Sequence, residues 1–377
     1  MVGTPVDGQL SGADTGTTRA GVRFAVATPA DDAAIRRLLR DNPMTGAVTL
    51  SFEREPDYFR GAGIAGAEDR IIVAYAGERL ICIGRCSVRE CWLNGAPRRV
   101  GYLAELRLDA SAAGRFDVLR NGYRFFHESH RLNPADFHFT SIAADNARAR
   151  RLLERELPGM PRYEFLGGLT TLLVSTRSVP STDVRLEQCP AAEIADFLNE
   201  IGSRENLSAT WSAEKISGLV NHDLPLGQFG IHREAGRIVA ASALWDQRQF
   251  RQTVVRGYTR GLTIARPVMN FFAPLFGKPS LPAPGGVLAH VFLSPLAIRP
   301  ERSEILPGVV AAVARRATQR GADFLTLALP ADDPRVDSIR RRFRCRTYAS
   351  RLYRVAWPGD PVPALDGRPL VPDVALL

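Results

Sequence analysis

Glu105 is the one acid in the apolar stretch Tyr102-Leu103-Ala104-Glu105-Leu106-Arg107-Leu108. A carboxylate in such a run is costly to bury unless it faces a cleft or meets a partner. Facing a cleft, it can take a proton from an attacking amine. Paired, its partner by strand periodicity is Arg107, two residues on and on the same face. The loop Ala113-Gly114-Arg115-Phe116 follows, where glycine allows close backbone approach and Arg115 can meet an anion. Farther on, Asp145-Asn146 precedes a helical pattern, and Asn146 is a natural cap. Cys82, Cys86 and Cys91 are separated by three and four residues, which is not a Cys-x2-Cys knuckle, and no matching Cys/His pair follows. They read as buried free thiols, and no metal is expected.

The elements that must position these residues occur twice. The first copy is the strand Tyr102–Leu108, a short turn, the helix 116–130, the strand 137–143, the helix after Asp145-Asn146 and a closing strand near 169–174. The second is the strand 290–298, the helix 305–320, the strand 324–329, a helix after Asp332-Asp333 and the strand 350–355. Leu106 and Leu296 are 190 positions apart, and Asn146 and Asp333 are 187 apart. A period this long marks a duplicated domain, not a solenoid unit of roughly 20–50 residues. The second copy has no carboxylate on its strand. Its polar members are His290 and Ser294, and a lone histidine at a strand start reads as structural.

This order resembles the GCN5-related N-acetyltransferase (GNAT) superfamily, here as a tandem pair. The resemblance implies an α/β (α+β) fold of two GNAT-like domains, each a mixed, mostly antiparallel sheet flanked by helices. It implies acetyl-CoA or another acyl-CoA as co-substrate and an amine acceptor, small molecule or peptide. On that pattern Leu106, Arg107 and Leu108 supply the strand that meets the pantetheine arm. Ala113, Gly114, Arg115 and Phe116 fall on the pyrophosphate loop, Asn146 touches the cofactor arm, and Glu105 is the base for direct attack on the thioester. The loop departs from the family's Arg/Gln-x-x-Gly-x-Gly/Ala pattern: Ala113 leads it, and Phe116 and Val118 take its small positions. Asp117 adds negative charge. In the second copy Ser303–Gly308 departs further, and the usual tyrosine of the later helix is Leu153. The expected activity is therefore acyl-CoA-dependent N-acylation by the N-terminal domain. The alternative is a catalytically inactive GNAT-like protein that binds a ligand or another protein.

Composition sets the outer limits. A chain of 377 residues, 45% hydrophobic and 24% charged, fits two globular domains. The expected layout is a disordered leader at 1–20, an N-terminal domain at 21–176 and a linker at 177–183. A C-terminal domain follows at 184–357 with an inserted segment at 260–287, then an extended tail at 358–377. The insertion is apolar and broken by Pro and Gly. It reads either as packing between the two domains or as a lid or wall for an apolar group. Phe52–Phe59 reads as a helix, Val184–Gln188 as a strand, and Asn94-Gly95 as a hairpin turn. Net charge is +9, and 47 of the 49 basic residues are arginine, spread along the chain. That spread argues against nucleic-acid binding, which favours a stripe with exposed aromatics. No apolar run is long enough to cross a membrane. With five cysteines and no secretory signal read at the start, the cytoplasm is the expected compartment. The oligomeric state is left open.

Overall fold

The computed structural model describes residues 16–17, 21–130, 133–276, 278–361 and 363–377. The first half contains β1 (Gly16–Thr17), β2 (Val22–Val26), α1 (Asp32–Asp41), β3 (Val48–Glu53), β4 (Glu68–Ala76), β5 (Arg79–Leu93), β6 (Ala96–Leu108), α2 (Phe116–His130), β7 (Phe137–Ala143), α3 (Ala147–Leu153) and β8 (Arg162–Ser175). The second contains α4 (Ala191–Gly202), α5 (Ala213–Gly218), β9 (Phe229–Glu234), β10 (Arg237–Trp245), β11 (Gln252–Tyr258), α6 (Arg260–Phe272), β12 (His290–Ile298), α7 (Leu306–Gln319), β13 (Phe324–Pro330), α8 (Arg335–Arg342) and β14 (Cys345–Ala356). Apart from β1, the leader expected at 1–20 lies outside the described residues.

Local chemistry sets the element ends. Thr28 and Asp31 form a capping box ahead of α1, which buries Ile35, Leu38 and Leu39 on one stripe. Asn94 and Gly95 both have positive φ, as a tight turn joining long twisted strands requires. In α7, Val309, Val310, Val313, Ala314 and Ala317 are all fully buried, so this helix is apolar nearly all round.

Twelve strands form one sheet in the order β1-β2-β4-β5-β6-β7-β14-β8-β13-β12-β10-β9. Only β6–β7 and β12–β13 pair in parallel; the other neighbours are antiparallel. The halves exchange their closing strands. β14, from the end of the second half, lies between β7 and β8, and β8 pairs on its other edge with β13. The duplicated domains thus share one sheet.

A second device ties the halves together. β3 pairs with β11 in a two-stranded ribbon, Glu53 opposite Gln252 and Val48 opposite Tyr258. Across it Arg256 Nε donates to Ser51 Oγ and Glu53 Oε1, each at 3.0 Å. This corrects the helix expected at Phe52–Phe59: pairing with a strand 200 residues away overrides the local pattern, leaving only a 3-10 turn at Tyr58–Gly61. Val184–Gln188 forms no strand either, only an isolated bridge from Glu187 to Ile231.

The inserted segment becomes α6. No residue of the helix is buried; Ile264 and Phe271, and Leu275 just beyond it, are each at least 75% exposed, and Ala273 is the buried residue of the segment's described part. The ribbon, not this helix, joins the halves. The segment expected as an extended tail is built into the fold. Asn206 bonds to Pro369 and Val371 through its backbone, and Ala375 and Leu376 are buried.

Strand exchange carries a direct consequence. A fragment ending at residue 183 lacks the strand that covers β7 and exposes β8, a hazard for edge pairing. Expressed alone, it is expected to aggregate or to lack a cooperative thermal transition, and co-expression with residues 184–377 should restore a folded complex. A monodisperse, cooperatively melting fragment would show that the exchange is dispensable.

Candidate functional site

The site begins where the first parallel pair comes apart. β6 and β7 are in register only from Val100–Phe137 to Tyr102–Phe139. The last ties are Thr140 Oγ1 to Leu103 O at 2.7 Å and Tyr102 OH to Ser141 Oγ at 2.8 Å. Beyond them β6 stays paired with β5 alone, so one edge of Ala104–Leu108 lacks a strand partner. The register of β5 against β6 slips between Ile83–Arg107 and Arg85–Ala104, and Glu105 has φ +56°. This bulge re-aims the strand at the mouth of the opening. The second half repeats the device, with β12 and β13 in register only from His290 to Phe292.

Glu105 is paired, but not with Arg107. Arg54 Nε donates to Glu105 Oε1 at 2.9 Å, and a second Arg54 nitrogen bonds the same oxygen. Tyr58 OH donates to Oε2 at 2.6 Å, and Arg85 Nη1 lies 3.9 Å away. Burial by itself would raise the Glu105 carboxyl. The Arg54 and Arg85 guanidiniums and the Tyr58 hydroxyl outweigh it and hold it well below the usual carboxylate range. Arg107 turns aside to donate to Leu106 O at 3.0 Å.

The loop Ala113–Phe116 follows a 3-10 turn at Ala110–Ala112 and enters α2. Gly114 has φ +82°, and a Cβ there would meet nothing, so the turn conformation is what needs glycine. The N–H groups of Ala112, Ala113, Arg115, Phe116 and Val118 bond to carbonyls of the same loop. Arg115 Nη2 pairs with Asp117 at 2.6 Å. Five of the donors that an anion could use, and the guanidinium of Arg115, are therefore engaged within the loop. In the second half Gly308 serves packing: a Cβ would sit 2.5 Å from Val184 Cγ2. Asn146 caps α3 by accepting from Ala149 N at 3.1 Å. Leu153 is buried beside Leu119 and Ile142, with Leu106 and Leu108 against them.

Two hollows lie elsewhere on the sheet. One is lined by Arg89, Tyr102, Phe139 and, from the tail, Asp373 and Leu377. The other reaches the opening of the second half and is lined by Glu205, Ser208, Leu296, Leu329 and Arg335. They share Ala209, Pro372 and Asp373. Glu205 accepts from Ser208 Oγ at 2.5 Å, and burial raises its carboxyl to about 7. Sequence reasoning passed over Glu205 and Asp373, because neither lies in a periodic element and the tail that walls them is far away in the chain.

A tandem GNAT fold is thereby defined: two copies of a sheet with a parting parallel pair, joined into one. The structure is similar to that of a GCN5-related N-acetyltransferase from Sphaerobacter thermophilus, at 13% identity and TM-score 0.54, over 93% of this chain and 99% of that one. It is also similar to Saccharomyces cerevisiae N-myristoyltransferase with bound myristoyl-CoA, at 8% identity and TM-score 0.59, over 94% of this chain and 89% of that one. No protein-family model matches the sequence, and no curated protein does. No helix among the described residues is long and apolar enough to cross a membrane.

Two variants probe these carboxylates. Glu105→Gln leaves Arg54 buried without its counter-charge and is expected to cost about 3–5 kcal/mol in denaturant unfolding at pH 7. The depressed native pKa means that Glu105 stabilises above its unfolded value and that this is lost as pH falls through the folded one, so the two proteins converge in acid. Glu205 has the opposite sign. Its raised pKa favours the fold below the unfolded value, and stability falls as pH rises toward about 7. Glu205→Gln should therefore melt above wild type at pH 8, by ~2 kcal/mol, and near it at pH 4.5. An unchanged difference across that range would contradict the assignment.

Proposed function

We propose that the chain is an acyl-CoA-dependent N-acyltransferase, using acetyl-CoA or another acyl-CoA and an amine acceptor, small molecule or peptide. The observation that carries this reading is the parting of β6 from β7 after Leu103, with the bulge at Glu105 at its mouth. Such an opening offers strand-edge groups of Leu106, Arg107 and Leu108 to an extended amide-bearing arm. The similarity in fold to the two acyltransferases supports the class. The pyrophosphate would meet Ala113, Gly114, Arg115 and Phe116, and Asn146 would lie along the arm.

In the proposed reaction the amine nitrogen attacks the thioester carbonyl. A C–N bond forms, the C–S bond breaks, and the CoA sulfur leaves and takes up a proton. The proton shed by the amine needs an acceptor with a pKa near working pH. Glu105 is held too low for efficient acceptance, so its proposed part is to fix Arg54, Tyr58 and the bulge. Glu205, raised to about 7 in the hollow that shares Ala209, Pro372 and Asp373 with the one lined by Tyr102, is the acceptor in this reading.

One observation favours a second reading, a GNAT-like protein that binds without transferring: the internally bonded loop N–H groups and the Arg115–Asp117 pair. Titration calorimetry with CoA, acetyl-CoA and a long-chain acyl-CoA, together with thiol release in the presence of an amine panel, separates the two. Transferase activity predicts binding near one equivalent and amine-dependent release. Glu205→Gln should then lower kcat at least ten-fold and remove the limb of the pH profile near 7, with little change in CoA affinity. Binding without release from any amine would support the second reading, and absence of binding would remove CoA from both.

A further inference from the structure

Three side chains far apart in sequence meet on one face of the sheet in the first half. Cys86 lies on β5, His138 on β7 and His130 at the end of α2, and one ligand atom of each falls within 4.8 Å of the others. Cys86 is fully buried, and His130 is 7% exposed. His130 Nδ1 and His138 Nε2 are both buried with no hydrogen-bond partner among the described residues. Two orphaned imidazole nitrogens beside one thiol are unusual, because buried polar atoms in folded proteins are nearly always satisfied.

The strand between them makes room. Gly101 on β6 stands opposite His138, and a Cβ there would sit 3.1 Å from both Cys86 Sγ and His138 Nε2. Glycine therefore leaves open the point that the sulfur and the nitrogen both face. Aromatic rings wall the cluster: Phe126 lies 4.2 Å from His130 between centroids, and Trp357 lies 5.2 Å from His138.

We propose that Cys86, His130 and His138 form a binding site for a borderline-soft transition-metal ion of the Zn2+ class. One thiolate and two imidazoles suit such an ion, and the absence of a carboxylate from the trio disfavours Mg2+ and Ca2+. Binding replaces the thiol proton with the metal, and that proton leaves to solvent. The cysteine spacing gives no hint of this site, since two of the three ligands come from other elements. The ion would pin the end of α2 to β5 and β7 at the register pair Gly101–His138, one pair before the last that β6 and β7 make.

The test is titration of the full-length, chelator-treated protein with Co2+ and Zn2+. The expected result is one equivalent of Co2+, a near-ultraviolet thiolate-to-cobalt charge-transfer band, and loss of that band when Zn2+ is added. Cys86→Ala, His138→Ala and Gly101→Ala should each weaken binding at least ten-fold, while Cys82→Ala and Cys91→Ala should not. Zn2+ should also raise the wild-type melting temperature. Absence of a charge-transfer band in the wild-type protein would overturn the proposal even if the variants fail to fold. So would equal binding by Cys86→Ala.

Discussion

Each parallel strand pair in this molecule ends in an opening, and that opening is stable only if the far strand of the pair is held from its other side. For β7 the holding strand is β14, and for β13 it is β8. Each comes from the opposite half of the chain. The pairing of β14 with β8 runs the whole length of β14, from Cys345 to Ala356, so the two openings are fixed to one central antiparallel seam. Geometry at one opening is therefore supported by residues of both copies. The ribbon of β3 and β11 and the built-in tail add two more crossings between the halves. Duplication has produced one mechanical body and not two beads.

Within that body, the cluster around Glu105 illustrates how burial and pairing compete. A carboxylate 15% exposed would ordinarily shed its charge. Arg54, itself 8% exposed, meets it with two guanidinium nitrogens, and Arg85 stands close by. The cheapest state keeps all of them ionised, with Tyr58 completing the carboxylate. That stability removes basicity. Glu205 is the opposite case: burial, with Asp333 beside it, outweighs the Ser208 hydroxyl and the more distant charge of Arg335, and its carboxyl is raised. The two glutamates differ in the charges they face, which strand periodicity does not encode.

What was legible in the sequence follows the same division between local and distant causes. α2 and β7 fall where apolar spacing puts them, and the Asn94-Gly95 turn and the Asn146 cap are set by short-range chemistry. Both parting pairs lie on the repeated strands. Illegible were features decided by residues far along the chain. Phe52 and its neighbours became a strand because β11 lies beside them, and the tail acquired buried residues because Asn206 and Gln247 receive it. Arg107 shares a face with Glu105 by periodicity, yet the bulge at Glu105 breaks the period and Arg54 takes its place.

The loop Ala113–Phe116 is governed by a finer balance. A phosphate cradle works by presenting N–H groups that have no other acceptor. Here five of them close short turns within the loop, and Asp117 occupies the guanidinium of Arg115. Short-turn bonds are the weakest of the backbone set, with poor geometry, and an exposed ion pair of this kind contributes ~1 kcal/mol or less. A diphosphate offers charge-assisted acceptors about twice as strong as a neutral carbonyl. The exchange is therefore favourable in hydrogen bonding but requires Asp117 to swing away from the incoming charge. Whether the loop is a site or a closed turn reduces to that one side chain, because the backbone already has the positive φ at Gly114 that a cradle needs.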